Sequence, residues 1–294
     1  NFIDTANRYT DGTSEKYIGE FIKEDRDHFV IATKYALKDA DTNNVNGSGT
    51  NRKNMMRSIE GSLKRLNTEY IDLFYLHIWD NLSPIDEIMR AMEDLIRQGK
   101  VNYIGISDTP AWIVSRGNTY AEMLGWNQFV ALQIEYSLLQ RTPERDLLPM
   151  AKSYDMTVVP WAPLAGGALT GKYLKGNPGR LKEGSNRLND RAMGITKEVM
   201  AIAEEIGCES SSVALQWMMN HRDFKCIPIV GATSEAQVQK NIQCLDVRLS
   251  PAHMERLNKA SEIVLGFPND FLNEDAVRAS LFGKYYDVVE KRIL

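Results

Sequence analysis

Four residues in the first quarter of the sequence, Asp4, Tyr9, Lys34 and His77, bring together an acid, a phenol, an amine and an imidazole. Each stands at or just past a short apolar run: Asn1-Phe2-Ile3-Asp4-Thr5-Ala6 with Tyr9 after it, Phe29-Val30-Ile31-Ala32-Thr33-Lys34, and Ile71-Asp72-Leu73-Phe74-Tyr75-Leu76-His77. Runs of this kind read as buried parallel strands, and polar residues at their C-terminal ends point into the mouth of a barrel. The four groups meeting there are equipped to give a proton to a carbonyl oxygen. Taken singly each has a plainer reading: an Asp capping a turn, a surface Lys, a Tyr packed at a barrel rim.

The elements that would position them alternate along the chain. Strand-like segments cover residues 1–6, 29–34, 71–77, 101–107, 130–134, 157–161 and 226–230. Helix-like periodicity covers 14–23, 52–66, 84–98, 112–124, 143–153, 197–206, 211–221, 235–244 and 251–261. Pro84 opens one of these helices and Gly99 follows it. Strict alternation with short links implies a parallel sheet with right-handed crossovers, and this much repetition favours closure. The expected fold is an α/β (β/α)8 TIM barrel, one domain over residues 1–294. Seven strands can be counted, ending near Ala6, Lys34, His77, Ser107, Ile134, Trp161 and Val230, whereas a closed barrel needs eight. The expectation is that the first strand and helix are missing from this sequence, which would leave edges at the strands ending at Ala6 and Val230. Two polar, glycine-bearing loops, 38–49 and 163–194, follow strand ends, where long loops usually carry function.

Composition narrows the class. With 43% hydrophobic and 25% charged residues the chain can build a large core. A net charge of −4 and a pI near 5.7 offer no long-range attraction to nucleic acid or anionic membranes. An anionic ligand would therefore need a local cluster of base. Cys208, Cys226 and Cys244 are far apart, which argues against a disulfide framework or a zinc site and for a reducing compartment. No stretch is apolar enough to span a membrane and no signal peptide is seen, so a cytoplasmic protein is expected. A homo-oligomer is compatible with this composition.

Several strings, in order, resemble the aldo-keto reductases. They are Asn1-Phe2-Ile3-Asp4-Thr5-Ala6 with Tyr9, Ile31-Ala32-Thr33-Lys34, Asp72-Leu73-Phe74-Tyr75-Leu76-His77, Gly99-Lys100-Val101 with Ile104-Gly105-Ile106-Ser107, and Pro160-Trp161-Ala162-Pro163-Leu164-Ala165-Gly166-Gly167. His77-Ile78-Trp79-Asp80, Ser107-Asp108-Thr109-Pro110-Ala111-Trp112 and Gly266-Phe267-Pro268 place the resemblance nearest the fungal aryl-alcohol dehydrogenase and norsolorinic-acid-reductase-like branch. The resemblance runs over nearly the whole chain and favours the chemical reading of the four residues over the plainer ones.

In that reading a hydride goes to a carbonyl carbon and Tyr9 gives its proton to the oxygen. A free phenol titrates near ~10, and the ammonium of Lys34 is expected to favour its phenolate. Asp4 would hold Lys34 in place and charged; His77 would orient the carbonyl or assist proton delivery. No Gly-x-Gly-x-x-Gly opens a βα unit, so a Rossmann-type site is not supported. The resemblance implies instead an extended dinucleotide, NADPH in preference to NADH, across the strand ends. Ser107, Asp108 and Gln133 match positions that bind the nicotinamide amide, although the family more often has Asn where Asp108 stands. Trp161 matches the aromatic that stacks on the nicotinamide ring. Leu164, Gly166, Lys172 and Arg187 fall in a basic loop suited to a pyrophosphate. Thr233, Gln237, Lys240 and Asn241 lie where the family holds the adenosine 2′-phosphate and adenine. Many members have Arg where Gln237 stands and Glu where Lys240 stands, and Lys240 could supply the missing charge. Trp79 and Trp112 suggest an aromatic-lined pocket for an aromatic carbonyl substrate. The competing readings are a cofactor-binding redox sensor resembling potassium-channel β subunits, or a truncated, inactive relic.

Overall fold

The short apolar runs become strands because their side chains are buried on both faces. β1 (Phe2–Asp4), β2 (Val30–Tyr35), β3 (Ile71–Leu76), β4 (Val101–Ser107), β5 (Phe129–Glu135) and β6 (Thr157–Trp161) form one sheet in chain order. The pairs from β1 to β5 are parallel. Parallel strands need crossover connections, usually helical, to join them. In this computed structural model residues 1–38, 44–220, 224–286 and 288 are described. Residues 39–43 of the polar loop expected at 38–49, and the end of the expected helix at His221, lie outside the described residues. Two compact units are distinguished: Asn1–Ile134 with Tyr154–Val159, and Glu135–Ser153 with Pro160–Leu294.

The first unit carries α1 (Thr13–Ile22), α2 (Arg52–Leu66), α3 (Ile85–Arg97) and α4 (Ala111–Leu124) between the strands. Caps set their limits. Asn51 accepts the Asn54 N–H at the start of α2, and Asn67 ends that helix in the left-handed region at φ 50°. Pro84 caps α3, which begins at Ile85, and Gly125 closes α4 at φ 64°.

The second unit holds α5 (Leu147–Ser153), α6 (Asp190–Ile206), α7 (Ser210–Met219), α8 (Glu235–Ile242), α9 (Pro251–Ala260), α10 (Asn269–Asn273) and α11 (Asp275–Phe282). The helix expected over 143–153 is split: Thr142–Arg145 forms a 3-10 turn, and Asp146 at φ −150° breaks the path before α5. The helix expected from 197 starts at Asp190, because the side chain of Asn189 accepts the Ala192 N–H and caps it there. The seventh expected strand, 226–230, does not form. Pro228 at its centre has no N–H to donate to a ladder, and the segment keeps one bridge residue, Cys226, and a bond from Ile229 N to Pro160 O at 2.9 Å. Among the described residues no helix is long and apolar enough to cross a membrane.

Backbone strain is concentrated where the strands end. Residues with positive φ follow β1 (Thr10, 46°; Asp11, 55°), β2 (Ala36, 107°), β3 (Asn81, 60°), β4 (Asp108, 42°) and β6 (Ala162, 52°; Ala165, 49°). For Ala there is no local side-chain bond to offset this, and the cost is of order 1–2 kcal/mol each. Strain of that kind persists where the surroundings over-determine the chain, typically around sites.

Packing inside the first unit leaves no slack beside these ends. Gly105 of β4 pairs in register with Tyr75 of β3, and a Cβ at Gly105 would stand 2.6 Å from Tyr75 Cδ1. Gly105→Ala should therefore lower stability by about 1–3 kcal/mol in urea denaturation with an unchanged m value; an unaltered midpoint would mean that the Tyr75 ring moves aside freely.

Candidate active site

Successive side chains of a strand face opposite ways, so β2 sends Thr33 and Lys34 to different sides, and both are fully buried. The Lys34 ammonium is satisfied on three sides. Its Nζ donates to Asp4 Oδ1 at 2.5 Å, to the Thr5 carbonyl at 2.7 Å and to the Tyr9 hydroxyl at 3.4 Å. It also lies 4.8 Å from the Tyr9 ring centroid. Asp4 is itself held from β5: Gln133 Nε2 donates to Asp4 Oδ2 at 2.9 Å. The His77 ring meets Tyr9 edge-on, with centroids 5.7 Å apart at 79°. The strand ends thus bring Asp4, Tyr9, Lys34 and His77 together as the sequence reading expects.

The electrostatics differ from the expectation. Tyr9 as a residue is 40% exposed, yet the partial burial of its phenol, then the charges of Asp4 and Asp108, push that group from 10.0 up to about 12. Lys34 is expected to favour the phenolate; Asp4 lies 2.5 Å from that ammonium, so the phenol faces an ion pair rather than a lone cation, and the net shift is upward. Burial lowers the Lys34 ammonium, with Asp4, Asp108 and Glu15 acting the other way. For His77, burial and then the charge of Lys34 bring the imidazole from 6.5 down to about 4. The ring is therefore neutral at ordinary pH, able to donate or accept a hydrogen bond but not to act as a cationic acid.

Asp108, at φ 42°, turns the chain at the end of β4; its N–H donates to the Gln133 carbonyl at 3.3 Å and its carbonyl accepts from Trp79 N at 3.5 Å. The Ser107 hydroxyl and His77 Nδ1 are buried and have no hydrogen-bond partner among the described residues. Two unsatisfied polar atoms at adjacent strand ends are what a carboxamide or a carbonyl oxygen could satisfy, so these residues fit a nicotinamide and its substrate. Trp79 is half-buried, and Trp112 stands 66% exposed in the first turn of α4.

In the second unit Leu164, Gly166, Lys172 and Arg187 form one cluster. Tyr173 ties it, donating its hydroxyl to the Gly166 carbonyl at 3.3 Å and accepting the Leu181 N–H at 2.9 Å. The Leu164 carbonyl accepts the Gly167 N–H at 2.8 Å. A Cβ on Gly167 would lie 2.9 Å from Lys172 Cε, and one on Gly166 3.4 Å from Arg187 Nη1. Trp161, at the end of β6, is half-buried. Around the start of α8, Gln237 Oε1 accepts from the N–H and hydroxyl of Thr233 at 2.9 and 3.2 Å, and Asn241 follows one turn on. Of the three cations expected to meet phosphate, Lys172, Arg187 and Lys240, two carry a carboxylate here: Arg187 with Glu135 at 2.5 Å and Lys240 with Glu209 at 2.7 Å. The Lys240 pair is exposed on both sides, so exchanging it for another anion costs little.

The sequence reading missed Glu15, Arg65 and Asp80. Asp80 accepts from the N–H groups of Thr50, Leu82 and Ser83 at 2.8, 2.8 and 3.0 Å, and these bonds bring its carboxyl down to about 2 against the opposing effect of burial. It fixes the turn that leaves His77 and Trp79. Asp80 followed by Leu82-Ser83-Pro84 is the signature of such an Asx-type turn and could have been read; Glu15 and Arg65, far apart in sequence, gave no signal.

Since the unfolded His77 imidazole titrates near 6.5 and the folded one near 4, the unfolded chain binds a proton there that the folded chain does not. The corresponding stability is complete above the upper value and falls as pH drops toward the lower one. His77→Gln should accordingly lose less stability than the unsubstituted protein between about pH 7 and about pH 5 in urea titrations. Equal losses would put the folded imidazole back at its ordinary value.

Residues 1–262 match the model of the aldo/keto reductase family. The aryl-alcohol dehydrogenase [NADP(+)] of Phanerodontia chrysosporium is 38% identical over 286 residues, covering 91% of this chain and 74% of the relative. The norsolorinic acid reductase B of Dothistroma septosporum is 37% identical over 284 residues, covering 93% and 71%. The norsolorinic acid reductase of Aspergillus flavus is 34% identical over 280 residues, covering 93% and 71%. With a buried Asp–Lys pair against a tyrosine hydroxyl and a match of this extent, the chain belongs to the aldo/keto reductase family.

Proposed function

We propose that this protein reduces aldehydes or ketones, aromatic ones foremost, to alcohols with NADPH, reversibly. The observation that carries the reading is the Tyr9 hydroxyl 3.4 Å from a fully buried ammonium that Asp4 and the Thr5 carbonyl hold in place. NADPH, when bound, supplies the hydride to the carbonyl carbon. Tyr9, whose phenol stays protonated up to about 12, hands its proton to the carbonyl oxygen, and Lys34 stabilises the phenolate left behind. Neutral His77 points a hydrogen bond at the same oxygen and fixes its approach. Asp4 keeps the ammonium from turning away, and Gln133 keeps Asp4 from turning in its place.

Ser107, Asp108 and Gln133 are assigned to the nicotinamide carboxamide, and Trp161 to the face of its ring. Leu164, Gly166, Lys172 and Arg187 are assigned to the pyrophosphate, and Thr233, Gln237, Lys240 and Asn241 to the adenosine end and its 2′-phosphate. Trp79 and Trp112 are assigned to an aromatic substrate. The names of the relatives support this assignment: one is an NADP-dependent dehydrogenase of aryl alcohols. The same reading takes the six parallel strands as part of an eight-stranded barrel of the family's type.

NADPH consumption with nitrobenzaldehyde, run beside Tyr9→Phe and with NADH as control, tests the reading. Turnover should appear with NADPH and fall by a factor of about 10² or more in the variant; equal rates in both proteins would remove Tyr9 from the chemistry. Trp161→Ala should weaken NADPH binding and abolish the cofactor's quenching of tryptophan fluorescence, whereas full quenching in that variant would take Trp161 out of the site.

A further inference from the structure

Contacts from α1 and α2 converge on the residues that flank Lys34 and Tyr9. Thr5, whose carbonyl oxygen accepts from Lys34, has its hydroxyl 2.8 Å from Ser14 Oγ in α1. Thr33, next to Lys34 in β2, donates its hydroxyl to Glu15 Oε1 at 2.6 Å. Glu15 is fully buried, and its other oxygen accepts from Arg65 Nε in α2 at 2.6 Å. The stem of Arg65 lies against Gly12, the last residue of the 3-10 turn that Tyr9 begins: a Cβ on Gly12 would come within 2.8 Å of Arg65 Cδ. Gly19 lets the two helices approach closely enough for this, since a Cβ there would lie 2.7 Å from the backbone of Leu66.

Neither Glu15 nor Arg65 touches the reacting groups, and a buried carboxylate–guanidinium pair is a weak source of net stability compared with apolar packing of the same volume. Its geometry, however, spans the two chain segments whose separation matters. On one side it grips β2 through Thr33, from the face opposite to that of Lys34. On the other it bears on Gly12, whose φ of 84° and missing side chain leave room for the arginine. A displacement of about 1 Å between a proton donor and its partner can cost as much as 10²-fold in rate.

We propose that Glu15 and Arg65 are positioning residues that set the separation of Tyr9 and Lys34, Glu15 by holding β2 through Thr33 and Arg65 by holding the Tyr9 turn through Gly12. The proposal rests on the reading of Tyr9 as proton donor. The double variant Glu15→Gln/Arg65→Met removes both charges together, so neither is left buried alone. In nitrobenzaldehyde reduction its kcat should fall at least about tenfold while NADPH binding is unchanged. In protein labelled with 13C at tyrosine Cζ, the Tyr9 signal, identified by its loss in Tyr9→Phe, should move at fixed pH. Unchanged kcat and an unmoved Tyr9 signal in the folded double variant would overturn the proposal. If that variant does not fold, Arg65→Lys, which keeps the charge but cannot place a donor at the Nε position, carries the same two expectations. If the unsubstituted protein turns over no carbonyl compound, the reductase reading fails, and the Tyr9 signal alone then decides whether the pair positions that residue.

Discussion

A lysine with no exposed surface has to be satisfied from within, and the buried pair of Lys34 and Asp4 is the constraint around which the first unit is arranged. An isolated ammonium at that depth would cost far more than the marginal stability of a protein permits. It is tolerable because a carboxylate, a carbonyl and a phenol all accept from it. All three acceptors come from residues 4–9, at and just past the end of β1, so β1 and β2 must pair in one register for the charge to be housed at all. Removing one partner from such a pair is costly, by about 3–5 kcal/mol, whereas the intact pair adds little net stability. Its value is specificity of arrangement, which is also what proton transfer needs.

The same low-dielectric surroundings explain why the titratable groups sit where they do. Burial raises the phenol of Tyr9 and lowers the imidazole of His77, so at neutral pH both are uncharged and both present hydrogen-bonding atoms to a carbonyl. The proton is then available from one group and guidance from the other. The Lys34 ammonium and the Asp4 carboxylate offset each other until a new negative charge forms on an oxygen, at which point the ammonium is already in place. Pre-oriented charge of this kind needs no reorganisation when the reaction occurs.

Much of this was legible in the sequence, for physical reasons that can be named. Short apolar runs ending in a polar residue and alternating with helical periodicity fit buried parallel strands, which is why Asp4, Lys34 and His77 could be placed. The start of one helix followed from Pro84, which stands at its N-cap position. The segment 226–230 looked like a strand because its side chains are apolar; the ladder depends on N–H groups, and Pro228 lacks one. The rise of the Tyr9 phenol was not foreseen because residue types suggest a lysine next to a tyrosine, while the outcome depends on the third group, Asp4, and on depth. Gln133 was read as a ligand contact from its place in the chain, and its bond to Asp4 appears only once β5 and β1 are brought to one region. Paired charges such as Arg187 with Glu135 and Lys240 with Glu209 are equally invisible to a count of basic residues.

The bond between Gln133 and Asp4 joins residues 129 positions apart. Contacts of such long range form late, after the loop closures that precede them. During synthesis the carboxylate of Asp4 waits for β5 to leave the ribosome, which at ordinary elongation rates takes on the order of ten seconds. Until then nothing from β5 restrains it. The arrangement that would do chemistry therefore cannot be complete before β5 is made, so a nascent chain can carry Asp4, Tyr9, Lys34 and His77 and still lack the bond that holds Asp4 from β5.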